Sequence, residues 1–183
     1  MKGFIFTNFI DFVEKSYGLE MVDEIISNSD LKSDGVYTAF SSYEYSELQS
    51  MLTYFCSKSG MEPQIALEEF GKYVFPFLIG KHNYITQKYT DPLSLIAGIE
   101  SHIHFEVKKL YEDAELPIFS LVEKKENQLI IIYKSKRNLT YFAVGLIKAT
   151  LKHFNVKGDV NIEESSCDNQ KNIVKFRITT IKE

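Results

Sequence analysis

Apolar residues recur every three or four positions over the first two-thirds of the chain, then every second position over most of the remainder. The first rhythm buries one face of a helix, and the second buries one face of a strand. Phe4, Ile5, Phe9, Phe12 and Val13 predict an opening helix that stops at Gly18. A short second helix is expected over about residues 20–27, followed by a polar loop, 28–34, that ends at Gly35. A third spans about 46–58, with Leu48, Met51, Leu52 and Phe55 on its buried side and Gly60 as its stop. Pro63 begins a fourth, through Ile65, Leu67 and Phe70, and Pro76 should kink or break it. Proline lacks the amide donor and crowds the preceding turn. Asp91-Pro92 is a strong helix start, a capping side chain followed by proline at the first helical position. That helix is expected to reach about Tyr111, with Ile96, Ile99, Ile103, Val107 and Leu110 as its core stripe.

From Pro117 the period changes. Residues 118–124 and 128–133 read as strands joined by a turn at Lys125-Glu126-Asn127. Residues 139–154 read as a helix, with Phe142, Leu146, Ile147 and Leu151 on one side, and 159–164 and 173–181 as two further strands. The expected fold class is α+β. An all-helical N-terminal subdomain, 1–60, precedes an α/β subdomain, 61–183, whose four-stranded antiparallel sheet carries one inserted helix.

Composition narrows the function classes. A net charge of −4 lacks the basic surplus of a nucleic-acid binder. Fourteen Phe and eleven Tyr give enough flat apolar surface to line a slot for a flat ligand or simply to fill a core. Cys56 and Cys167 lie far apart, so neither a disulfide framework nor a four-ligand zinc site is expected. The apolar start at Phe4-Ile5-Phe6 is interrupted by Asp11 and Glu14, unlike a signal peptide, and no segment has the ~20 apolar residues of a membrane span. A reduced, cytoplasmic protein is the simplest expectation.

Two features carry chemistry. His102 and His104 form an H-x-H pair. On the helix begun at Asp91-Pro92 they diverge by about 200° and cannot share a metal. His104 flanks the apolar stripe and looks into the adjoining space, as a satisfied core histidine or as an axial ligand. Tyr133, Ser135 and Arg137 alternate along a strand and so share a face. Two hydroxyls and a guanidinium fork suit a pair of carboxylates or a phosphate. An edge strand with a polar face would show the same residues. Together the features favour a haem, which needs an apolar slot, an axial nitrogen and donors for two propionates. No G-x-S-x-G elbow supports a nucleophilic triad, and no glycine-rich phosphate loop is present.

Met1-Lys2-Gly3, Gly35-Val36-Tyr37-Thr38, Phe70-Gly71-Lys72-Tyr73 and Phe75-Pro76-Phe77-Leu78 resemble the haem nitric oxide/oxygen binding (H-NOX) family. So do Ile103-His104-x-Glu106-Val107-x-Lys109-Leu110-Tyr111, Asp113-Ala114-Glu115-Leu116-Pro117, the Tyr133-x-Ser135-x-Arg137 set and Gly145-Leu146-Ile147. This is the family of the haem domain of soluble guanylate cyclase and its stand-alone bacterial relatives. The resemblance implies a haem b, ferrous in its working state, between the two subdomains. It implies that His104 is the proximal iron ligand and that Tyr133, Ser135 and Arg137 hold the propionates. Pro117 matches the proline that presses on the porphyrin. Ile5 and Leu146 match distal residues packed against it, beside Val74 and Leu78.

The departures decide the expected ligand. The distal tyrosine of oxygen-binding members falls at Phe142 here, and their supporting tryptophan and asparagine fall at Phe9 and Val74. Oxygen on ferrous iron carries partial negative charge and gains from a hydrogen-bond donor, whereas nitric oxide binds tightly without one. The expected function is therefore a sensor, not an enzyme, that prefers nitric oxide to oxygen and also takes carbon monoxide. Nitric oxide would release His104 and so signal to a separate partner, a histidine kinase or a cyclic-di-nucleotide enzyme by resemblance. An oxygen- or redox-responsive haem protein and a haem-free interaction module are the alternatives. The cysteine-rich zinc site of some relatives is not expected, since only Cys167 remains in that region.

Overall fold

Helix α1, Gly3–Tyr17, buries Phe6, Phe9, Phe12 and Val13 along one stripe. It ends at Gly18, whose φ of 85° suits a residue without a Cβ. Helix α2, Leu19–Asn28, then turns back to bury Val22 and Ile25. Helix α3, Tyr45–Ser59, closes on Gly60 in the left-handed conformation. The computed structural model describes residues 1–81, 83–168 and 171–181.

Helix α4, Pro63–Lys81, runs through Pro76, so of the expected kink or break the break does not occur. The proline removes one i→i−4 bond. Packing offsets that loss, because Phe70, Val74 and Phe75 on the turns before it are buried. A short helix α5, Asn83–Thr86, comes next.

The segment predicted as one helix from Asp91 to Tyr111 is three pieces. Helix α6, Pro92–Ala97, starts as expected, with the Asp91 carboxylate accepting from the Ser94 amide at 2.8 Å. A π-helical stretch, Ile99–His104, comes after it, and helix α7, Phe105–Leu110, completes the segment. Gly98 sits at the join, where a Cβ would collide with the Tyr89 hydroxyl. The wider π turn changes the phase of helix α7. Leu110, expected in the core stripe, is 65% exposed, and Phe105 is exposed at the other end of the same helix.

Strands β1, Ile118–Lys125, and β2, Gln128–Ser135, form a hairpin. Helix α8, Thr140–His153, then leads to β3, Lys157–Asp168, and β4, Lys171–Ile181. The fold is α+β, and its four-stranded sheet has the order β1-β2-β4-β3 with every pair antiparallel. The last two strands are longer than their apolar alternation indicated, because main-chain pairing continues through the polar stretch to Asp168.

Two apolar clusters result. One joins the sheet to α6 and α8 through Leu93, Ile96, Leu129, Ile131, Val144 and Phe176. The other joins α1, α2, α3 and α4 through Phe6, Phe9, Val22, Met51, Phe55 and Phe70. Helix α8 lies against α4, with Phe142 packed on the helical cluster and Val144 and Ile147 in the sheet cluster. The two helices meet backbone to backbone. A Cβ at Gly145 would collide with the Glu68 carbonyl oxygen and reach the Gly71 Cα at 3.0 Å. Gly145→Ala is therefore expected to lower unfolding stability by about 1–3 kcal/mol, the usual cost of overpacking, as read by denaturant titration.

Candidate functional site

His104 closes the π stretch and is largely buried, its side chain 12% exposed. Its Nδ1 lies 3.2 Å from a Glu100 carboxylate oxygen, and its ring centroid lies 5.7 Å from that of Phe119. Burial holds its pKa below the usual histidine value, against the opposing pull of Glu100, and keeps the imidazole neutral. A carboxylate can only accept here, so Nδ1 carries the proton and Nε2 carries the lone pair. Pro117 is a neighbour, and its main chain is a further acceptor beside the ring. His102 turns away to solvent, where its Nδ1 meets the Tyr89 hydroxyl, so the two histidines diverge as the helical reading required.

Strand β2 places Tyr133 and Ser135 on its buried face, Tyr133 only 2% exposed. Burial raises the Tyr133 pKa against the hydrogen bond from Ser135 and keeps the phenol protonated. Arg137 is not on the strand, as the alternation had predicted, because β2 ends at Ser135. A turn brings it round instead, its own amide donating to Ser135 Oγ at 3.0 Å. Its guanidinium donates to the Glu115 carbonyl at 2.6 Å and to the Glu115 carboxylate at 2.8 Å. A main-chain carbonyl and a carboxylate oxygen of Glu115 thus share the fork.

The distal candidates come from three helices. Ile5 and Phe9 lie on α1, Val74 and Leu78 on α4, and Phe142 on α8, all in or against the helical cluster. Phe9 and Val74 are fully buried. The Phe142 ring lies 5.1 Å from that of Phe70, which lies 5.2 Å from Phe9. Leu146 is half-buried, next to the Gly145 contact with α4.

The residues fit a haem. They supply a neutral imidazole with a fixed tautomer, a cationic fork already engaged by a carboxylate, and apolar walls. Three contributors escaped the sequence reading. Glu100 was legible only as a charge near the motifs, and Glu115 stood inside one with no role assigned to it. The Tyr45 hydroxyl, 3.3 Å from the Asn138 carbonyl, lies near enough to Tyr133 and Arg137 to feel both.

A family model described as Haem-NO-binding matches residues 2–164. The chain belongs to this family. H-NOX domains bind haem and sense gases. The structure is similar to that of the Fe(II) unliganded H-NOX protein from K. algicida, with 39% identity over 100% of this chain and 98% of that one and a TM-score of 0.93. It is similar to the S. oneidensis H-NOX protein in the Fe(II)NO state, at 30% identity, full coverage of both chains and a TM-score of 0.85. The Shewanella woodyi H-NOX protein in the Fe(II)CO state is 31% identical over 99% of this chain and 95% of that one, with a TM-score of 0.82. No curated protein matches. Among the described residues no helix is long and apolar enough to cross a membrane.

The clamp has a direct test. Arg137→Ala should release haem to an apoglobin acceptor faster than Ser135→Ala, because charge-assisted bonds are roughly twice as strong as neutral ones. Equal rates would remove Arg137 from the clamp.

Proposed function

We propose that this H-NOX protein is a cytoplasmic sensor that uses ferrous haem b to detect nitric oxide in preference to oxygen. The supporting observation is the apolar character of Phe142, Phe9 and Val74 on the distal side, with Phe9 and Val74 fully buried. Ferrous haem, held by these residues, would supply an iron that binds a diatomic gas. Tyr133, Ser135 and Arg137 hold the propionates, and Pro117 presses on the ring from the side of His104. The distal wall of Ile5, Leu78, Leu146 and Phe142 excludes water and offers no donor to oxygen.

His104 is the movable part. Holding the iron would tether the π stretch and α7 to the cofactor, and losing that bond would let α7, which runs on to Tyr111, shift. A two-state element of this kind is what a ligand can bias. A separate partner reads the shift, a histidine kinase or a cyclic-di-nucleotide enzyme by family resemblance. The absorption spectrum of the purified, reduced protein tests the reading at its root. A Soret band that moves on adding nitric oxide or carbon monoxide is expected. A colourless protein that takes up no added haem would leave an interaction module in its place.

A further inference from the structure

The Glu100 carboxylate does two things at once. One of its oxygens faces His104 Nδ1 at 3.2 Å and also accepts the Phe119 amide at 3.0 Å. The first contact spans four positions, a spacing at which side chains on one helical face meet, and it falls within the stretch Ile99–His104. The second contact anchors the carboxylate to the start of β1, so its position is tied to the sheet as well as to the helix.

We propose that Glu100 is the positioning residue for His104, fixing its tautomer and setting how firmly it holds the iron; this rests on the reading of His104 as the axial ligand. An Nδ1–H that donates to a carboxylate gives the ring part of the character of imidazolate. The Nε2 lone pair becomes a stronger donor, and its bond to iron is harder to break. The gas signal depends on breaking that bond. Glu100 therefore opposes release of His104 and raises the threshold for signalling, while the Phe119 amide keeps the carboxylate from drifting to solvent.

Two variants separate this from a structural role. Glu100→Gln keeps an acceptor oxygen without the charge, and Glu100→Leu removes both. Nitrogen NMR of the haem-free chain should show His104 protonated at Nδ1 in the parent and in Glu100→Gln, and a smaller Nδ1-protonated share in Glu100→Leu, where the Pro117 main chain is the acceptor left beside the ring. Resonance Raman of the reduced, haem-loaded proteins should place the iron–histidine stretch highest in the parent, lower in Glu100→Gln and lowest in Glu100→Leu. Loss of the His104 bond after mixing with nitric oxide should be about tenfold faster in Glu100→Leu, the low end of the effect of removing an outer-shell partner. A role confined to stability would lower the melting temperature of both variants and leave tautomer and stretch unchanged, which would overturn the proposal. The same Nδ1 pattern in a chain that takes up no haem would uphold the positioning and refute the axial role. A mixture of tautomers in the parent would refute the positioning whatever the haem content.

Discussion

His104→Gly is expected to purify without haem, or to hold it only when imidazole is supplied. His102→Ala should keep a normal reduced spectrum. The contrast comes from where each ring sits. His104 is buried against Phe119 with its Nδ1 held by Glu100, so only Nε2 is presented as a ligand. His102 is exposed and engaged with Tyr89. Glycine at 104 leaves a space the size of an imidazole with no protein bond to the iron, and free imidazole can occupy it. Titration of the haem-free variants with haem, monitored at the Soret band with and without imidazole, gives the measurement. Loss of binding in His102→Ala with retention in His104→Gly would reassign the ligand.

The second large effect is ligand choice. The reduced protein should form stable complexes with nitric oxide and carbon monoxide and none with oxygen in air, where it should at most oxidise slowly. With nitric oxide the spectrum should show that the His104 bond has been lost. Phe142→Tyr adds one donor to the distal wall. A hydrogen bond there is worth about 1 kcal/mol net, more if its acceptor is charged. One kcal/mol is about fivefold in affinity. That is too little to yield a stable oxygen complex while Phe9 and Val74 stay apolar. A stable oxygen spectrum in the unmutated protein would refute the preference for nitric oxide and leave the haem reading standing.

The features legible in the sequence were local. The glycine stops at Gly18 and Gly60, the Asp91-Pro92 cap and the hairpin of β1 and β2 each depend on neighbours in the chain, and each appears in the structure as read. The features missed depend on contacts distant in sequence. Pro76 stays inside α4 because the turns before it are buried, which its own turn cannot reveal. The π stretch needs the join at Gly98, whose space is taken by Tyr89. Arg137 belongs with Tyr133 and Ser135, but a turn and Glu115 place it there, not the strand pleat. At the site, residue types were readable and their partners were not, because Glu100 is also held by the Phe119 amide and Glu115 meets Arg137 across twenty-two positions.

The two apolar clusters bear on how a rigid cofactor gets in. A chain with separate cores opens in pieces, each with its own free energy of opening. The sheet keeps Leu129, Ile131 and Phe176 shielded together with Val144 and Ile147 of α8, whether or not α1 and α3 stay docked. The helical layer is then the part that can separate and reclose, while His104 and Tyr133 wait on the sheet side beside Phe119. If His104 and Tyr133 hold the haem, opening the helical layer alone would suffice to load it, and the sheet cluster would stay closed.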